Sequence, residues 1–364
     1  MNILITGGAG FIGSHLSDKL IENGHTVIAY DNLDSQVHLS GDWPDYMNPK
    51  VEKVYGDVRD KNFLQQVIQD YNVEAVYHFA AKVGVGQSMY EIDQYTNVNV
   101  GGTANLLDII VNKSNNIKKI IVASSMSIYG EGAYGEPSTD MNRNIEQLQN
   151  HIWDAHDKVK PIPTPETKIL ESQSIYALSK KMQEEMCMSI GKTYNIPTVA
   201  LRFFNIYGTR QSLSNPYTGV VAIFCSCFLN NQSPLIFEDG KQMRDFVHID
   251  DITNACHLSL IKPQADYEVF NVASGSPITI FDLAKLVQKQ MGSEKEPIIS
   301  NKFRVGDVRH CYADISKIRN FLNYEPQHTL ENSLKEVIDW VKKQTTENTI
   351  DTMINKLSDK KLII

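Results

Sequence analysis

Short runs of apolar residues alternate with amphipathic stretches along the first half of the chain. The apolar runs predict strands at residues 2–6, 26–30, 53–55, 75–79, 120–123 and 198–202. Between them, apolar positions recur with helical spacing, for example at residues 63–70 and 101–111. Strands that alternate with helices form a mostly parallel sheet with helices on both faces. The pattern therefore predicts an α/β fold with a doubly wound parallel sheet.

From about Asn205 the alternation gives way to short segments interrupted by glycine, proline and asparagine. We expect this part to form a smaller mixed α/β lobe over the carboxyl ends of the strands, where open α/β sheets bind ligands. The predicted organisation is a first domain at residues 1–204, a substrate-binding lobe made mainly of residues 205–345 and interleaved with the first domain, and a tail at residues 346–364. The tail sequence is compatible with a terminal helix and with a frayed end.

A glycine-rich turn follows the first predicted strand and opens the first predicted helix. Gly8, Gly10 and Gly13 satisfy G-x-G-x-x-G, and a backbone without side chains lets a pyrophosphate approach the free N–H groups of the helix. The second strand is followed by Asp31, where an acid binds the ribose hydroxyls of adenosine and repels a 2′-phosphate. The alternative is a purely structural glycine turn. The spacing predicts a Rossmann-like domain that binds NAD in preference to NADP.

Composition and charge exclude several kinds of partner. The chain has 364 residues, a formal net charge of −8 and no long basic stretch, so we expect neither nucleic acid nor an acidic membrane surface as a partner. No run reaches the roughly 18 apolar residues of a transmembrane helix, and no signal-like segment precedes the first strand. The five cysteines include no C-x-x-C pair, as is usual in a reducing compartment. We expect a cytoplasmic protein with buried free thiols.

Residues 135–174 depart from the alternating pattern and contain several prolines, so we interpret them as an insertion in the first domain. Histidine and aspartate in this stretch raise the question of a metal site. Their spacing matches no standard ligand pattern, and a solvated loop is the preferred interpretation for His151, Asp154, His156 and Asp157. No metal is expected.

Two further segments place catalytic groups beside the dinucleotide site. Tyr176 and Lys180 are four residues apart and share one face of a helix. A phenol is a poor base near neutral pH, but a neighbouring ammonium favours the phenolate, which is a suitable general base for an alcohol. Ser125 lies at a strand end, where its hydroxyl can bond the oxygen being oxidised. The alternatives are a surface Tyr–Lys pair and a serine that satisfies backbone groups.

Together these motifs resemble the nucleotide-sugar branch of the extended short-chain dehydrogenase/reductases, the NAD-dependent epimerase/dehydratase family. The resemblance covers residues 1–340 and includes T-G-G-A-G-F-I-G at 6–13, G-D-V-R-D at 56–60, H-F-A-A at 78–81, R-F-F-N at 202–205 and R-D-F-V-H at 244–248. It implies a catalytic set of Ser125, Tyr176 and Lys180. The resemblance assigns to NAD the residues Gly7, Gly10, Phe11, Ile12, Gly13, Asp31, Asn32, Asp57, Val58, Phe79, Ala80, Ala81, Asn99, Tyr176, Lys180 and Phe203. It assigns to a nucleoside-diphosphate sugar the residues Gln87, Ser88, Asn205, Asn215, Arg244 and Arg309, of which the two arginines bind the diphosphate.

The residues after Ser125 distinguish reaction types within that family. The 4,6-dehydratases carry an Asp-Glu pair there for water elimination, whereas this chain has Met126 and Ser127. We therefore predict a 4-epimerase that forms a transient 4-keto sugar. Stretches at residues 34–38, 83–90, 125–132 and 213–219 resemble the dTDP-L-rhamnose 4-epimerase group, which implies a dTDP-linked 6-deoxyhexose as substrate.

Several alternatives to this function stay open. They are a 4-ketoreductase that consumes free NAD(P)H, a UDP-hexose 4-epimerase, and a non-catalytic dinucleotide sensor. The sensor is disfavoured because Tyr176 and Lys180 are both present. The family resemblance also implies a homodimer formed through the helices at residues 101–111 and 176–191.

Overall fold

The protein is described by a computed structural model that covers residues 1–114, 116–135, 143–156, 159–212, 219–344 and 350–363. Its first half alternates strands with helices, as the apolar pattern predicts. The elements are β1 (Asn2–Thr6), α1 (Phe11–Glu22), β2 (Thr26–Asp31), β3 (Glu52–Tyr55), α2 (Lys61–Asp70), β4 (Ala75–His78), α3 (Val85–Ser88), α4 (Ile92–Tyr95), a π-helical segment (Thr96–Gly101), α5 (Gly102–Lys113) and β5 (Lys119–Ser125).

The second half begins after β5 with a 3₁₀ turn (Met126–Tyr129) and mixes short strands with helices. These elements are β6 (Ala133–Tyr134), α6 (Ile145–Gln149), β7 (Pro161–Ile162), α7 (Ile175–Tyr194), β8 (Thr198–Phe203), β9 (Asn205–Tyr207), α8 (Val220–Leu229), β10 (Leu235–Ile236), β11 (Met243–His248), α9 (Ile249–Ile261), a 3₁₀ turn (Pro263–Ala265), β12 (Val269–Val272), β13 (Pro277–Thr279), α10 (Ile280–Met291), β14 (Ile298–Ile299), β15 (His310–Cys311), α11 (Ser316–Leu322), α12 (Leu330–Val341) and α13 (Ile350–Asp359).

Within the described part of the chain, the central sheet has seven strands in the order β12-β8-β5-β4-β1-β2-β3. Every pairing in it is parallel. The order reverses direction between β1 and β4, which opens a crevice at the carboxyl ends of the strands. This confirms the doubly wound, Rossmann-like α/β fold. The edge strand β12 was not among the predicted strands and returns from the second half of the chain.

Apolar side chains cover both faces of this sheet, as the nearly continuous apolar runs of the strands require. On one face, Ile3 and Ile5 of β1 share a core with Leu16 of α1 and with buried residues of α9 and α11. On the other face, Leu4 packs with Leu64 of α2 and with buried residues of α5 and α7. The helices therefore hold the strand ends, and the loops after them, in fixed positions.

A smaller lobe of mixed α/β structure lies beside the strand ends. β11 pairs in parallel with β9 and β15 and antiparallel with β13, and β10 pairs with β14. Phe224 of α8, Leu283 of α10 and Leu334 of α12 belong to one core in this lobe. The five cysteines are buried and free, as expected. None of the helices in the described ranges is long and apolar enough to cross a membrane.

Candidate active site

A cavity of about 680 Å³ lies at the carboxyl ends of the strands and extends into the lobe. The catalytic candidates Ser125, Tyr176 and Lys180 line it, together with Asn205 and Arg244 from the predicted substrate set. It is also lined by all the predicted NAD residues except Asn99, namely Gly7, Gly10, Phe11, Ile12, Gly13, Asp31, Asn32, Asp57, Val58, Phe79, Ala80, Ala81, Tyr176, Lys180 and Phe203. The fold thus brings residues from distant parts of the chain to one site.

The glycine-rich turn leaves the start of α1 open to this cavity. Gly10 is the N-cap of α1 and offers no side chain to the first N–H groups of the helix, so an anion can accept from them. Gly7 has a φ of 72°, and a Cβ there would lie 2.9 Å from the backbone nitrogen of Ala80. A Cβ on Gly13 would lie 2.4 Å from the carbonyl oxygen of Gly7. Only glycines allow this tight turn, which suits the pyrophosphate of a dinucleotide.

Asp31 is the last residue of β2, the strand that pairs with β1, and it is almost fully buried. Its carboxylate accepts hydrogen bonds from the N–H groups of Ala9, at 3.0 Å, and Leu33, at 2.8 Å. Burial raises the pKa of the Asp31 carboxyl, and these two N–H donors oppose that rise. Asp31 is therefore hydrogen-bonded directly to the glycine-rich turn. It also lines the cavity, at the position expected for the adenosine ribose.

Asp57 forms a second acidic position on the same side of the cavity. Burial alone would raise the pKa of its carboxyl, but hydrogen bonds from Arg59 and Asn32 lower it to about 2. Arg59 donates through Nε at 2.9 Å and Nη2 at 2.7 Å, and Asn32 donates through Nδ2 at 2.9 Å. Asp57 is consequently ionised and fixed in place.

The side chains of the predicted catalytic set converge from β5 and α7. Ser174 caps the N-terminus of α7 by accepting from the N–H of Ala177 at 3.1 Å, which sets the start of the helix that carries Tyr176 and Lys180. Burial raises the pKa of Tyr176, and a hydrogen bond with the Ser125 hydroxyl opposes the rise. Burial lowers the pKa of Lys180 to about 8. The lysine is therefore still mainly an ammonium near neutral pH, as activation of Tyr176 requires.

A buried polar network anchors Lys180 and was not predicted from the sequence. Its Nζ donates to Gln183 Oε1 at 2.7 Å, and Gln183 Nε2 donates to the Thr103 hydroxyl at 2.9 Å. The ring of His78 bridges Thr103 and Thr6, with nitrogen–oxygen distances of 2.8 Å on both sides. Burial, followed by the charge of Lys180, lowers the pKa of His78 to about 3. The available signal for this network in the sequence was His78 itself, a histidine at the end of the apolar run that forms β4.

Ser125 itself is held by its neighbour in the chain. The N–H and hydroxyl of Ser127 donate to Ser125 Oγ at 3.2 Å and 2.9 Å. Met126 and Ser127, which follow Ser125 in the chain, line the cavity, so these two positions offer no carboxyl group to a ligand there. The adjoining Ser124 hydroxyl also lines the cavity, is buried, and has no hydrogen-bond partner among the described residues.

Polar groups from the lobe lie on the substrate side of the cavity. Asn205 Oδ1 is buried without a hydrogen-bond partner in the described part of the chain, so a ligand donor would satisfy it. Arg244 Nη1 donates to the carbonyl oxygens of Met243, at 2.8 Å, and Arg309, at 3.0 Å. Arg304 also lines the cavity, although it was not among the substrate-binding residues predicted from the sequence. Its Nε donates to Asp307 at 2.7 Å and its guanidinium lies 4.8 Å from the ring centre of Phe237.

The structure corrects the assignment of Arg309 to a substrate diphosphate. Arg309 is 1% exposed and is not part of the cavity lining. Its guanidinium contacts Asp154 at 2.7 Å, Asp239 at 2.6 Å and Glu238 at 3.1 Å. Three carboxylates already compensate this charge, so a diphosphate would gain little from it. Arg304 therefore lines the cavity, whereas Arg309, further along the same segment, contacts Asp154 of the insertion.

Side chains of the insertion contact the segment that carries Arg304 and Arg309. Arg143 donates to Glu238 at 2.8 Å and to the carbonyl oxygen of Asp307 at 2.8 Å. Leu148 and Trp153 pack with Phe303 in a small apolar cluster. Arg143, Leu148 and Trp153 are therefore structural parts of the insertion. The solvated loop was expected for other residues of the insertion, of which His151, Asp154 and His156 are exposed.

Three other predicted site residues lie outside the cavity lining. Asn99 is buried, where its amide donates to Ser179 Oγ at 2.8 Å and accepts from the N–H of Lys82 at 2.8 Å. Gln87 exchanges side-chain hydrogen bonds with Gln36, and Ser88 donates to the carbonyl of Val85 at 2.7 Å. All three act as internal supports for the loops after β4. Asn215 lies outside the described residues.

In the insertion, Asp154 and His151 contact other side chains, and His156 is exposed. Asp154 contacts Arg309 and His310, and the His151 ring stacks on Trp153, while Asp157 lies outside the described residues. In the described ranges, a set of possible metal ligands occurs elsewhere, at His248, Asp250 and His328. Both ring nitrogens of His248 are already engaged, by the N–H of Asp250 at 3.3 Å and by Glu336 at 2.5 Å. We interpret this set as the cap of α9.

A family model described as "NAD dependent epimerase/dehydratase family" matches residues 3–273 of the chain. A dTDP-L-rhamnose 4-epimerase of Burkholderia thailandensis is 34% identical over 352 residues, with 93% of this chain and 94% of the relative covered.

Two solved structures extend this similarity to the fold. A UDP-glucose 4-epimerase of Thermotoga maritima with UDP-glucose has a TM-score of 0.80 and 33% identity, covering 94% of this chain and 99% of the other. A UDP-glucuronic acid 4-epimerase of Bacillus cereus in complex with UDP-glucuronic acid and NAD has a TM-score of 0.78 and 27% identity, with the same coverage of both chains.

Proposed function

The chain belongs to the NAD dependent epimerase/dehydratase family, and from that premise we propose that it interconverts the C4 epimers of a dTDP-linked 6-deoxyhexose such as dTDP-L-rhamnose. It is an isomerase of the sugar-nucleotide 4-epimerase type, and its cofactor is NAD. The observation that carries the proposal is the convergence of Ser125, Tyr176 and Lys180 on a cavity that also contains the glycine-rich turn and Asp31.

The residues present fit NAD. The uncapped start of α1 would hold the pyrophosphate, Asp31 the adenosine ribose, and the segment at Asp57 and Val58 the adenine side. Lys180 would hold the nicotinamide ribose. When bound, NAD accepts a hydride from the sugar C4 and supplies it again to the opposite face of the same carbon.

The side chains of this protein handle the accompanying proton. Tyr176, as phenolate, accepts the proton of the sugar 4-hydroxyl, and the same phenol gives it back when the 4-keto group is reduced. The Lys180 ammonium favours that phenolate. The Ser125 hydroxyl donates to O4 and thereby holds it beside the tyrosine. Because the proton returns to the atom that it left, the cycle needs no external acid or base.

The sugar must present both faces of C4 while its nucleotide stays bound. Arg244 and Arg304 both line the cavity and would bind the diphosphate, which suits a planar guanidinium with several donors. Asn205 offers an unsatisfied acceptor to the sugar or the diphosphate. A bound diphosphate and a free sugar ring would allow the 4-keto sugar to turn over between the two hydride transfers.

Two observations support a dTDP-sugar. The 34% identical relative is a dTDP-L-rhamnose 4-epimerase, and Ile223, Phe224 and Phe237 of the lobe line the cavity with apolar surface that suits the methyl group of thymine. The structurally similar UDP-glucose 4-epimerase makes UDP-hexoses the second candidate. A panel of dTDP- and UDP-sugars, incubated without added cofactor and followed by NMR, separates the two.

The reaction type is tested with dTDP-L-rhamnose labelled with deuterium at C4. An epimerase should form the C4 epimer without added NAD(P)H and should keep the label in ordinary water over many turnovers, since the hydride does not leave the site. Loss of the label, or a product that requires an equal amount of NAD(P)H, would favour a 4-ketoreductase. The Tyr176→Phe variant serves as the inactive control.

We also propose a homodimer formed through α5 and α7. Leu178 and Met182 support it because they are four residues apart on α7, with 47% and 46% of their surface exposed. Sedimentation velocity should detect a dimer for the natural sequence and a monomer for a Leu178→Glu, Met182→Glu double variant. A monomer at micromolar concentration in the natural sequence would contradict this assembly.

A further inference from the structure

The C-terminal segment at residues 350–363 reaches the cavity, although its sequence carries no recognisable motif. Leu357, near the end of α13, is 1% exposed, and both Leu357 and Leu362 line the same cavity as the catalytic residues. The chain turns back after α13, with the N–H of Leu362 donating to the carbonyl of Leu357 at 2.8 Å. This turn places the two leucines together against the lobe.

Backbone pairing holds the segment beside Arg304. The N–H of Val305 donates to the carbonyl of Leu362 at 3.0 Å, and Arg304 and Ile363 form an antiparallel bridge. The segment therefore lies directly against the arginine that would bind the diphosphate. A nucleoside joined to that diphosphate would extend from Arg304 into the neighbouring part of the cavity.

That neighbouring part is apolar on its other sides as well. Phe237 lies beneath the Arg304 guanidinium, with 4.8 Å between the guanidinium carbon and the ring centre. Ile223, Phe224 and Cys227 line the cavity from one face of α8, at the spacing of successive helical turns. The leucines of the C-terminal segment complete this apolar lining.

We propose that residues 350–363 form one wall of the subsite for the nucleobase and contribute Leu357 and Leu362 to its recognition. This rests on the proposed function, since it takes the ligand to be a nucleoside-diphosphate sugar. The flat apolar faces of a pyrimidine base suit a pocket formed by leucine, isoleucine and phenylalanine side chains, and each well-packed apolar contact in such a pocket is worth about tenfold or more in affinity.

The test is calorimetric binding of dTDP and of UDP to the NAD-loaded protein, so that it does not depend on epimerase activity. Leu357→Asp should bind dTDP at least about tenfold more weakly than the natural sequence, with unchanged NAD content. Ser358→Asp is the matched control, because it adds the same charge at an exposed neighbouring position, and it should bind dTDP normally. A chain that ends at residue 349 removes the wall and should show the same loss as Leu357→Asp.

Normal dTDP binding by the shortened chain would overturn the proposal, whatever the folding of Leu357→Asp. An equal loss in Ser358→Asp would also overturn it, since repulsion of the diphosphate would then explain the effect. If the natural sequence bound neither dTDP nor UDP, the proposed function would fail first, and the role of the C-terminal wall would fall with it.

Discussion

Replacing Arg304 and Arg309 separately by methionine should affect two different properties of the protein. Methionine keeps much of the length of the arginine side chain and removes its charge. Arg309 is buried among Asp154, Glu238 and Asp239, whereas the Arg304 side chain is 38% exposed and lines the cavity. We therefore expect Arg309→Met to lower stability and Arg304→Met to weaken substrate binding.

The size of each effect follows from the contacts. Removing one partner of a buried ion pair costs about 3–5 kcal/mol, and we expect the lower end for Arg309→Met because Arg143 still contacts Glu238 at 2.8 Å. Arg304→Met loses one exposed ion pair with Asp307, worth about 0.2–1 kcal/mol. Loss of its hydrogen bonds to a diphosphate, at roughly 1.5–3 kcal/mol, corresponds to an increase of about 10- to 150-fold in KM.

Thermal unfolding of the NAD-loaded variants and steady-state kinetics with the sugar nucleotide measure the two properties side by side. Arg309→Met should unfold at a clearly lower temperature, and at a temperature where it stays folded its KM should be close to normal. Arg304→Met should unfold normally and show the raised KM with little change in kcat. The reverse outcome, with a raised KM in a stable Arg309→Met and a normal KM in Arg304→Met, would refute the assignment of the two arginines.

Three further predictions concern the catalytic residues, the cofactor and the buried network. Tyr176→Phe should fold and bind NAD but lose about a hundredfold or more in kcat, since the phenol oxygen is the base; retention of more than about a tenth of kcat would contradict this role. Asp31→Ala should weaken NAD relative to NADP in calorimetric titrations, and an unchanged preference would show that Asp31 does not meet the ribose. His78 stays neutral in the folded protein because its pKa is lowered to about 3, whereas in the unfolded chain it takes up a proton below about pH 6.5. Stability should therefore fall as the pH drops below 6.5, and His78→Gln should reduce that slope by up to about 1.4 kcal/mol per pH unit in unfolding titrations; an unchanged slope would argue against a neutral, buried His78.

The network around Lys180 gives the buried ammonium of this proposed catalytic lysine a hydrogen-bond acceptor. Lys180 is 3% exposed, and its Nζ donates to the side-chain amide oxygen of Gln183 at 2.7 Å. Gln183 in turn is oriented by Thr103, and His78 links Thr103 to Thr6 at the end of β1. Hydrogen bonds thus connect β1, which precedes the glycine-rich turn, to α7, which carries Tyr176 and Lys180.

The sequence by itself determined the parts of the site that depend on local spacing. The first strand, the glycine-rich turn, Asp31, and the helical pair of Tyr176 and Lys180 all follow from short-range patterns, because strand alternation, helical periodicity and glycine geometry are properties of neighbouring residues. The order of the strands along the chain likewise predicted the parallel sheet. The seventh strand, β12, escaped prediction because its four residues (Val269–Val272) follow an irregular stretch and find their partner, β8, only in the folded sheet.

Only the tertiary structure decided which side chains of the irregular segments face the cavity. The resemblance assigned Arg309 to a diphosphate and did not single out Arg304, and contacts with residues far away in the chain distinguish the two. The N–H of Arg309 donates to Glu131, 178 positions earlier, and its guanidinium contacts Asp154, while the guanidinium of Arg304 lies over Phe237. The same holds for the leucines of the C-terminal segment, which reach the cavity through pairing with Val305. No local periodicity specifies the direction of a side chain in an irregular segment, since packing against distant partners sets it.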